Sequence, residues 1–163
     1  KYLERGFIDT DSVIVAEHGP IAEIFRTQGE AVFRTIEKAV VAQALESDGV
    51  VSLGGGAVLD AQTREALRAQ RVALLTVTGE AAAQRIAGKS AKSQTRPLLA
   101  ADTAEDRLAA WQQLADSRRA IYESLATRSW DTSVRPITAI AHEIADWART
   151  ELQHENTTGT TDQ

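Results

Sequence analysis

Cysteine is absent from the 163-residue chain, which excludes disulfides, thiolate metal sites and a cysteine nucleophile. Methionine is absent as well. A translated chain starts with Met, so Lys1 is expected to follow an upstream segment. No apolar run approaches the length of a membrane span, and no charged-then-apolar signal pattern opens the chain. A soluble cytoplasmic protein without a membrane partner is the expectation. Positive charge is in deficit: Lys plus Arg number 18 against 23 Asp plus Glu, a net charge of −5. Nucleic-acid binding needs a basic footprint, so nucleic acid is not an expected partner. A small anionic ligand is still allowed, because local arginines override a global sign.

What is present has an ordinary globular balance, 43% hydrophobic and 25% charged, over a length suited to one domain with a single core. Tyr2 to Gly6 reads as the last turn of a helix ending on glycine. Phe7-Ile8 reads as a short strand running into Asp9-Thr10-Asp11, with Ser12 capping a helix to about Glu17. Pro20 opens a short helix carrying Ile21, Ile24 and Phe25 on one face. A longer helix places Val32, Phe33, Ile36, Val40 and Leu45 at helical spacing. Val50 to Leu53 is a compact strand leading into Gly54-Gly55-Gly56, and Asp60 caps a helix to about Arg68. Val72 to Val77 is a continuous apolar run of the kind buried in parallel sheets. Thr78 caps the next helix, and Gly88 to Thr95 is a polar loop. Thr103 to Asp106 resembles a capping box opening a helix to about Ala126. Trp130 to Thr132 is a brief strand, and an amphipathic helix follows from Ile137 to about Leu152. Trp111 and Trp147 read as core residues. Strands alternating with helices give an α/β layer fold with a mainly parallel sheet, whose ligands bind beyond the carboxyl ends of the strands.

Asp9, Asp11 and the triple glycine all fall at those ends. Two carboxylates at i and i+2 suit one role toward a metal ion and another toward a substrate hydroxyl; a solvated strand end with Asp as helix cap explains them equally well. Three glycines in a row remove every Cβ where the strand emerges, so backbone N–H groups can approach a ligand; the bland alternative is a flexible turn. Arg34 and Glu37 share a helix face, either as a surface ion pair or as a guanidinium held ready for a carboxylate. Arg96 ends the polar loop, placed to meet charge on a transferring phosphoryl group or simply solvated. Arg118 and Arg119 admit the same two readings. The histidines form no pattern with a nucleophile or metal partners.

In order along the chain, F-I-D-T-D, I-A-E-I-F, G-E-A-V-F-R-T-I-E, L-G-G-G-A-V, R-P-L-L-A and R-R-A-I-Y resemble the shikimate kinases from about Gly6 to Leu152. That resemblance implies a three-layer P-loop kinase fold related to the nucleoside monophosphate kinases, with a central parallel five-stranded sheet flanked by helices. The first strand and its G-x-x-x-x-G-K-[ST] loop are not found in this sequence and are expected upstream. One kinase domain is implied over residues 1–153, with a substrate-binding region at about 12–45, a lid at about 87–100 and a disordered polar tail at 154–163.

The implied activity is ATP-dependent phosphorylation of the 3-hydroxyl of shikimate, in the chorismate and aromatic amino acid pathway. Asp11 would bind that hydroxyl and act as catalytic base or orienter, and Asp9 would hold Mg²⁺ through water. Arg34 and Arg118 would clamp the substrate carboxylate beside Phe33, with Gly54, Gly55 and Gly56 presenting backbone and Glu37 positioning Arg34. Arg96 would reach the ATP phosphates, with Arg85 and Arg135 flanking the adenine. Shikimate and ATP are the expected partners of a monomer, with neither nucleic acid nor membrane involved. The lid is longer than usual by a stretch holding Lys89 and Lys92, and Ala120 stands where the family often has proline. Another kinase of this fold, such as a gluconate kinase, and a shikimate-binding protein without kinase activity are the alternatives.

Overall fold

The structure is a computed structural model that describes residues 2–87 and 103–158. Lys89, Lys92 and Arg96 lie outside the described residues.

The first strand, β1 (Phe7–Asp9), leads directly into α1 (Thr10–His18). The cap is Asp9 rather than Ser12: its carboxylate accepts the Asp11 N–H at 3.3 Å and the Ser12 hydroxyl at 3.0 Å. The chain is still extended at Asp9, with φ −102° and ψ 110°, so the helix can begin three residues earlier than a Ser12 cap would allow. α2 (Ile21–Gln28) and α3 (Glu30–Ala44) complete a three-helix layer. Ile14, Ile24, Phe33 and Val40 form its core, with Ile14 and Ile24 at 0% and 1% exposure. Each such side chain contributes roughly 1.5–3 kcal/mol by leaving water. Val32, expected on this face, is instead exposed, because the buried stripe of α3 runs through Phe33, Glu37, Val40, Val41 and Ala44.

β2 (Val50–Ser52) pairs in parallel with β1, matching Asp9 to Ser52. The two strands therefore deliver Asp9-Thr10-Asp11 and Leu53 to Gly56 side by side at their carboxyl ends. Thr10 is fully buried at this seam and donates its hydroxyl to Ser52 O at 3.1 Å.

A 3-10 turn (Ala57–Leu59) leads into α4 (Ala61–Arg68), capped by Asp60, which accepts the Thr63 N–H at 2.9 Å. β3 (Ala73–Thr76) follows, then α5 (Gly79–Ala87), α6 (Ala104–Leu125), β4 (Arg128–Asp131) and α7 (Ile137–Thr158). Thr103 caps α6 as anticipated, accepting the Asp106 N–H at 3.0 Å. α7 runs to Thr158, into the segment expected as tail.

β3 pairs in parallel with β4, so the described strands form two parallel pairs. The apolar run at β3 is not buried as its composition suggests: Leu75 is 57% exposed. β3 has a strand neighbour on one side only among the described residues, and Phe7 on β1 is likewise exposed. The four described strands, all paired in parallel and alternating with helices, give the α/β layer fold expected. Tyr2 and Leu3 form a turn, followed by Glu4 in the left-handed region at φ 54°.

A second core joins the halves of the chain. Val58, Leu67 and Leu125 are buried there, with Leu45, Leu53, Val72, Ile121 and Tyr122 packed around them. Trp130 is buried and meets Trp147 edge to face at 5.2 Å, whereas Trp111 and Trp147 are themselves only half-buried. Among the described residues no helix is long and apolar enough to cross a membrane.

Candidate active site

The triple glycine is the hub of the site, and each of its members faces a different charged side chain. A Cβ built on Gly54 would lie 2.7 Å from Asp11 Oδ1 and 3.2 Å from Glu37 Oε1. One on Gly55 would lie 3.1 Å from the Tyr122 hydroxyl and 3.9 Å from Arg118 Nη1. One on Gly56 would overlap the Arg34 guanidinium, 2.7 Å from Cζ. At Gly54 and Gly56 glycine is required by this close approach rather than by any left-handed backbone. The strand pairing supplies the reason, since Asp11 leaves β1 next to the point where Gly54 leaves β2.

Arg34 is held from both sides. Its Nη1 donates to Glu37 Oε2 at 2.6 Å, while Nε and Nη2 donate to Glu30 Oε1 at 3.2 and 3.0 Å. Of five guanidinium hydrogens these bonds use three, leaving one on each terminal nitrogen. That spare end matches the two oxygens of a carboxylate. Beneath it, Phe33 is buried and packs on Phe25 with ring centroids 4.7 Å apart; Arg34 Cζ lies 5.2 Å from the Phe33 centroid.

Glu37 is a carboxylate in an apolar stripe, 3% exposed. Burial pushes its pKa above the ordinary value; Arg34 pulls it down, Asp11 adds to the rise and Arg118 opposes it. Burial also pulls on Arg34, but the hydrogen bonds and charges of Glu37 and Glu30 outweigh it and hold the guanidinium above its ordinary value. Arg34 is thus a permanent cation, and the buried Glu37 carboxylate bears the strain of keeping it in place.

Arg118 and Tyr122 arrive from α6, one helical turn apart. Arg118 Nη1 donates to Gly55 O at 3.2 Å and the Tyr122 hydroxyl donates to the same oxygen at 2.6 Å. A cavity of about 330 Å³ adjoins this cluster, lined in part by Glu30, Arg34, Glu37, Lys38, Gly56 and Asp60. Lys38 and Asp60 form an ion pair across it at 3.3 Å.

Of the residues singled out in the sequence, Asp11, Phe33, Arg34, Glu37, Gly54, Gly55, Gly56 and Arg118 thus come together. Asp9 sits beside them as the α1 cap. Arg85, on α5, and Arg135 belong to a separate place, around the loop after β4. Arg85 donates to Thr132 through its side-chain oxygen at 3.2 Å and also through its carbonyl. Arg135 pairs with Glu143. Arg96 lies outside the described residues. Glu30, Lys38 and Tyr122 were not anticipated; Glu30 at four residues before Arg34, and Tyr122 at four after Arg118, carry a helical-spacing signal that would have found them.

A parallel α/β scaffold that gathers carboxylates, two arginines and open backbone at its strand ends offers a site for a small anionic ligand. The family model for shikimate kinase matches residues 1–149. Curated relatives include the shikimate kinases of Streptomyces coelicolor, 46% identical over 77% of this chain and 70% of that protein, and of Mycobacterium avium, 42% identical over 88% and 79%. Among solved structures, shikimate kinase from Acinetobacter baumannii in complex with shikimate aligns with a TM-score of 0.71 at 27% identity, over 97% of this chain and 82% of that one. The enzyme from Bacteroides thetaiotaomicron aligns at 0.70 and 25% identity, over 91% and 83%. This chain belongs to the shikimate kinase family.

Proposed function

We propose that this chain binds shikimate at the triple-glycine hub and phosphorylates its 3-hydroxyl at the expense of ATP. The observation that carries the reading is that Asp11, Arg118 and Arg34 converge on the consecutive residues Gly54, Gly55 and Gly56. The spare end of the Arg34 guanidinium and the remaining donors of Arg118 would take the substrate carboxylate, with Phe33 walling the ring. Asp11 would accept a hydrogen bond from the 3-hydroxyl and take its proton as that oxygen attacks the γ-phosphorus and ADP leaves. Such transfers depend on positioning and electrostatics more than on covalent chemistry by the protein.

Mg²⁺ would offset phosphate charge when bound, and Asp9 is the residue that would hold it through water. Both Asp9 oxygens are engaged in the α1 cap and keep lone pairs for water. Mg²⁺ is commonly carried by one or two carboxylates, phosphates and water, so a single carboxylate with lone pairs to spare fits it. Arg96 would reach the ATP phosphates, and Arg85 from α5 and Arg135 from the loop after β4 would flank the adenine.

The test is an ATP-dependent phosphorylation assay of the full-length protein with shikimate, gluconate and nucleoside monophosphates. Shikimate should be the acceptor used. Arg34→Ala should raise KM for shikimate by about tenfold or more, the worth of a charge-assisted hydrogen bond, while Asp11→Asn should chiefly lower kcat. Both variants behaving like the wild type would sink the assignment.

A further inference from the structure

We infer that Tyr122 is a positioning residue for acceptor binding: its hydroxyl pins the Gly55 carbonyl and so fixes the peptide that the arginine clamp shares. This rests on the reading of the triple-glycine hub as the shikimate site. The bond is short, 2.6 Å, and its acceptor is the middle residue of the hub. Arg118 donates to the same oxygen at 3.2 Å, so one carbonyl with two lone pairs is filled by two donors from one face of α6. Tyr122 does not rely on the site for its own placement. Its ring packs in the second core with Val58, Leu67 and Leu125, which sets the hydroxyl position from the scaffold side. The side chain therefore ties the rigid core to a turn of three residues without side chains, the least constrained backbone in the site.

The consequence is specific to the acceptor. With the carbonyl pinned, the Gly56 N–H in the same peptide plane keeps one direction, and Arg118 keeps its terminal nitrogens beside the hub. Without the hydroxyl, Arg118 would be the one partner left to that oxygen among the described residues. The turn could then rotate with the guanidinium that should meet the substrate. ATP binding should be unaffected, because the Tyr122 hydroxyl is spent on Gly55 O, whereas Arg85 and Arg135 lie around the loop after β4.

Tyr122→Phe keeps the ring and removes only the donor. In the full-length protein, KM for shikimate should rise about two- to tenfold, the range for one hydrogen bond, with kcat and KM for ATP within about twofold and Tm close to the wild type. An unchanged KM for shikimate would overturn the inference. A rise matched in KM for ATP and accompanied by a lowered Tm would overturn it too, since that is the mark of a purely structural residue. If the wild type itself fails to phosphorylate shikimate, the reading of the site falls and this inference with it; a wild type that uses shikimate beside an unaltered Tyr122→Phe removes the inference alone.

Discussion

Glu37→Gln separates what a buried carboxylate does for the site from what it does for the fold. Glu37 is 3% exposed, bonded to Arg34 at 2.6 Å, and neighboured by the negative Asp11. Its pKa in the folded chain lies above the ordinary 4.5, with burial as the largest cause. The folded state therefore holds this proton more tightly than the unfolded chain does. The stability linked to it is fully present below pH 4.5 and is lost as pH rises through the folded value. Glutamine carries no charge at any pH and keeps a carbonyl oxygen for Arg34 Nη1. Thermal unfolding across pH 4 to 8 should accordingly show a Tm at neutral pH no lower than the wild type, the two curves converging toward the acid end. The opposing view treats the ion pair as a net stabiliser whose rupture costs about 3–5 kcal/mol. At about 2–4 °C per kcal/mol for a domain of this size, that is a drop of roughly 6–20 °C. A fall of that size at pH 7 would refute the reasoning. Function should move the other way. Exchanging an ionised acceptor for a neutral one loosens Arg34 by about 1 kcal/mol, so KM for shikimate should rise about fivefold.

Gly56→Ala should leave the fold nearly intact, because the overlapping group is the end of the Arg34 side chain and not backbone, yet displace the clamp. KM for shikimate should rise at least about tenfold for a stability loss below about 1 kcal/mol, read by steady-state kinetics beside urea unfolding. Asp60→Ala removes the α4 cap and should lower stability by about 1 kcal/mol. The Thr63 N–H, ahead of the Lys38 ammonium, holds the Asp60 carboxyl below 3.8, so its contribution is present above that pH and lost as pH falls through the folded value. The difference between Asp60→Ala and wild type in urea unfolding should shrink correspondingly in acid. Equal differences at pH 3 and pH 7 would contradict that account.

Much of the fold was legible locally. The caps at Asp60 and Thr103 and the starts of α2, α4 and α6 follow from hydrogen bonds and backbone preferences spanning three or four residues. The same range let Arg34 and Glu37 be paired on one helix face. The same spacing places Glu37 on the buried stripe of Phe33, Val40 and Ala44. Local reasoning failed at Ser12, where an extended Asp9 took the cap first, and at Leu75, where an apolar composition was mistaken for burial on both faces.

The chain by itself determined which residues carry charge, which turns lack side chains, and where helices begin, because those depend on neighbours in sequence. Only the tertiary structure decided that Asp11 meets Gly54 and that Arg118 and Tyr122 meet Gly55 across 63 and 67 residues. Those meetings come from the parallel register of Asp9 with Ser52 and from the packing of α6 on the second core. Parallel pairing joins strands through long crossovers, and no short-range pattern fixes which side chains will face one another at its end.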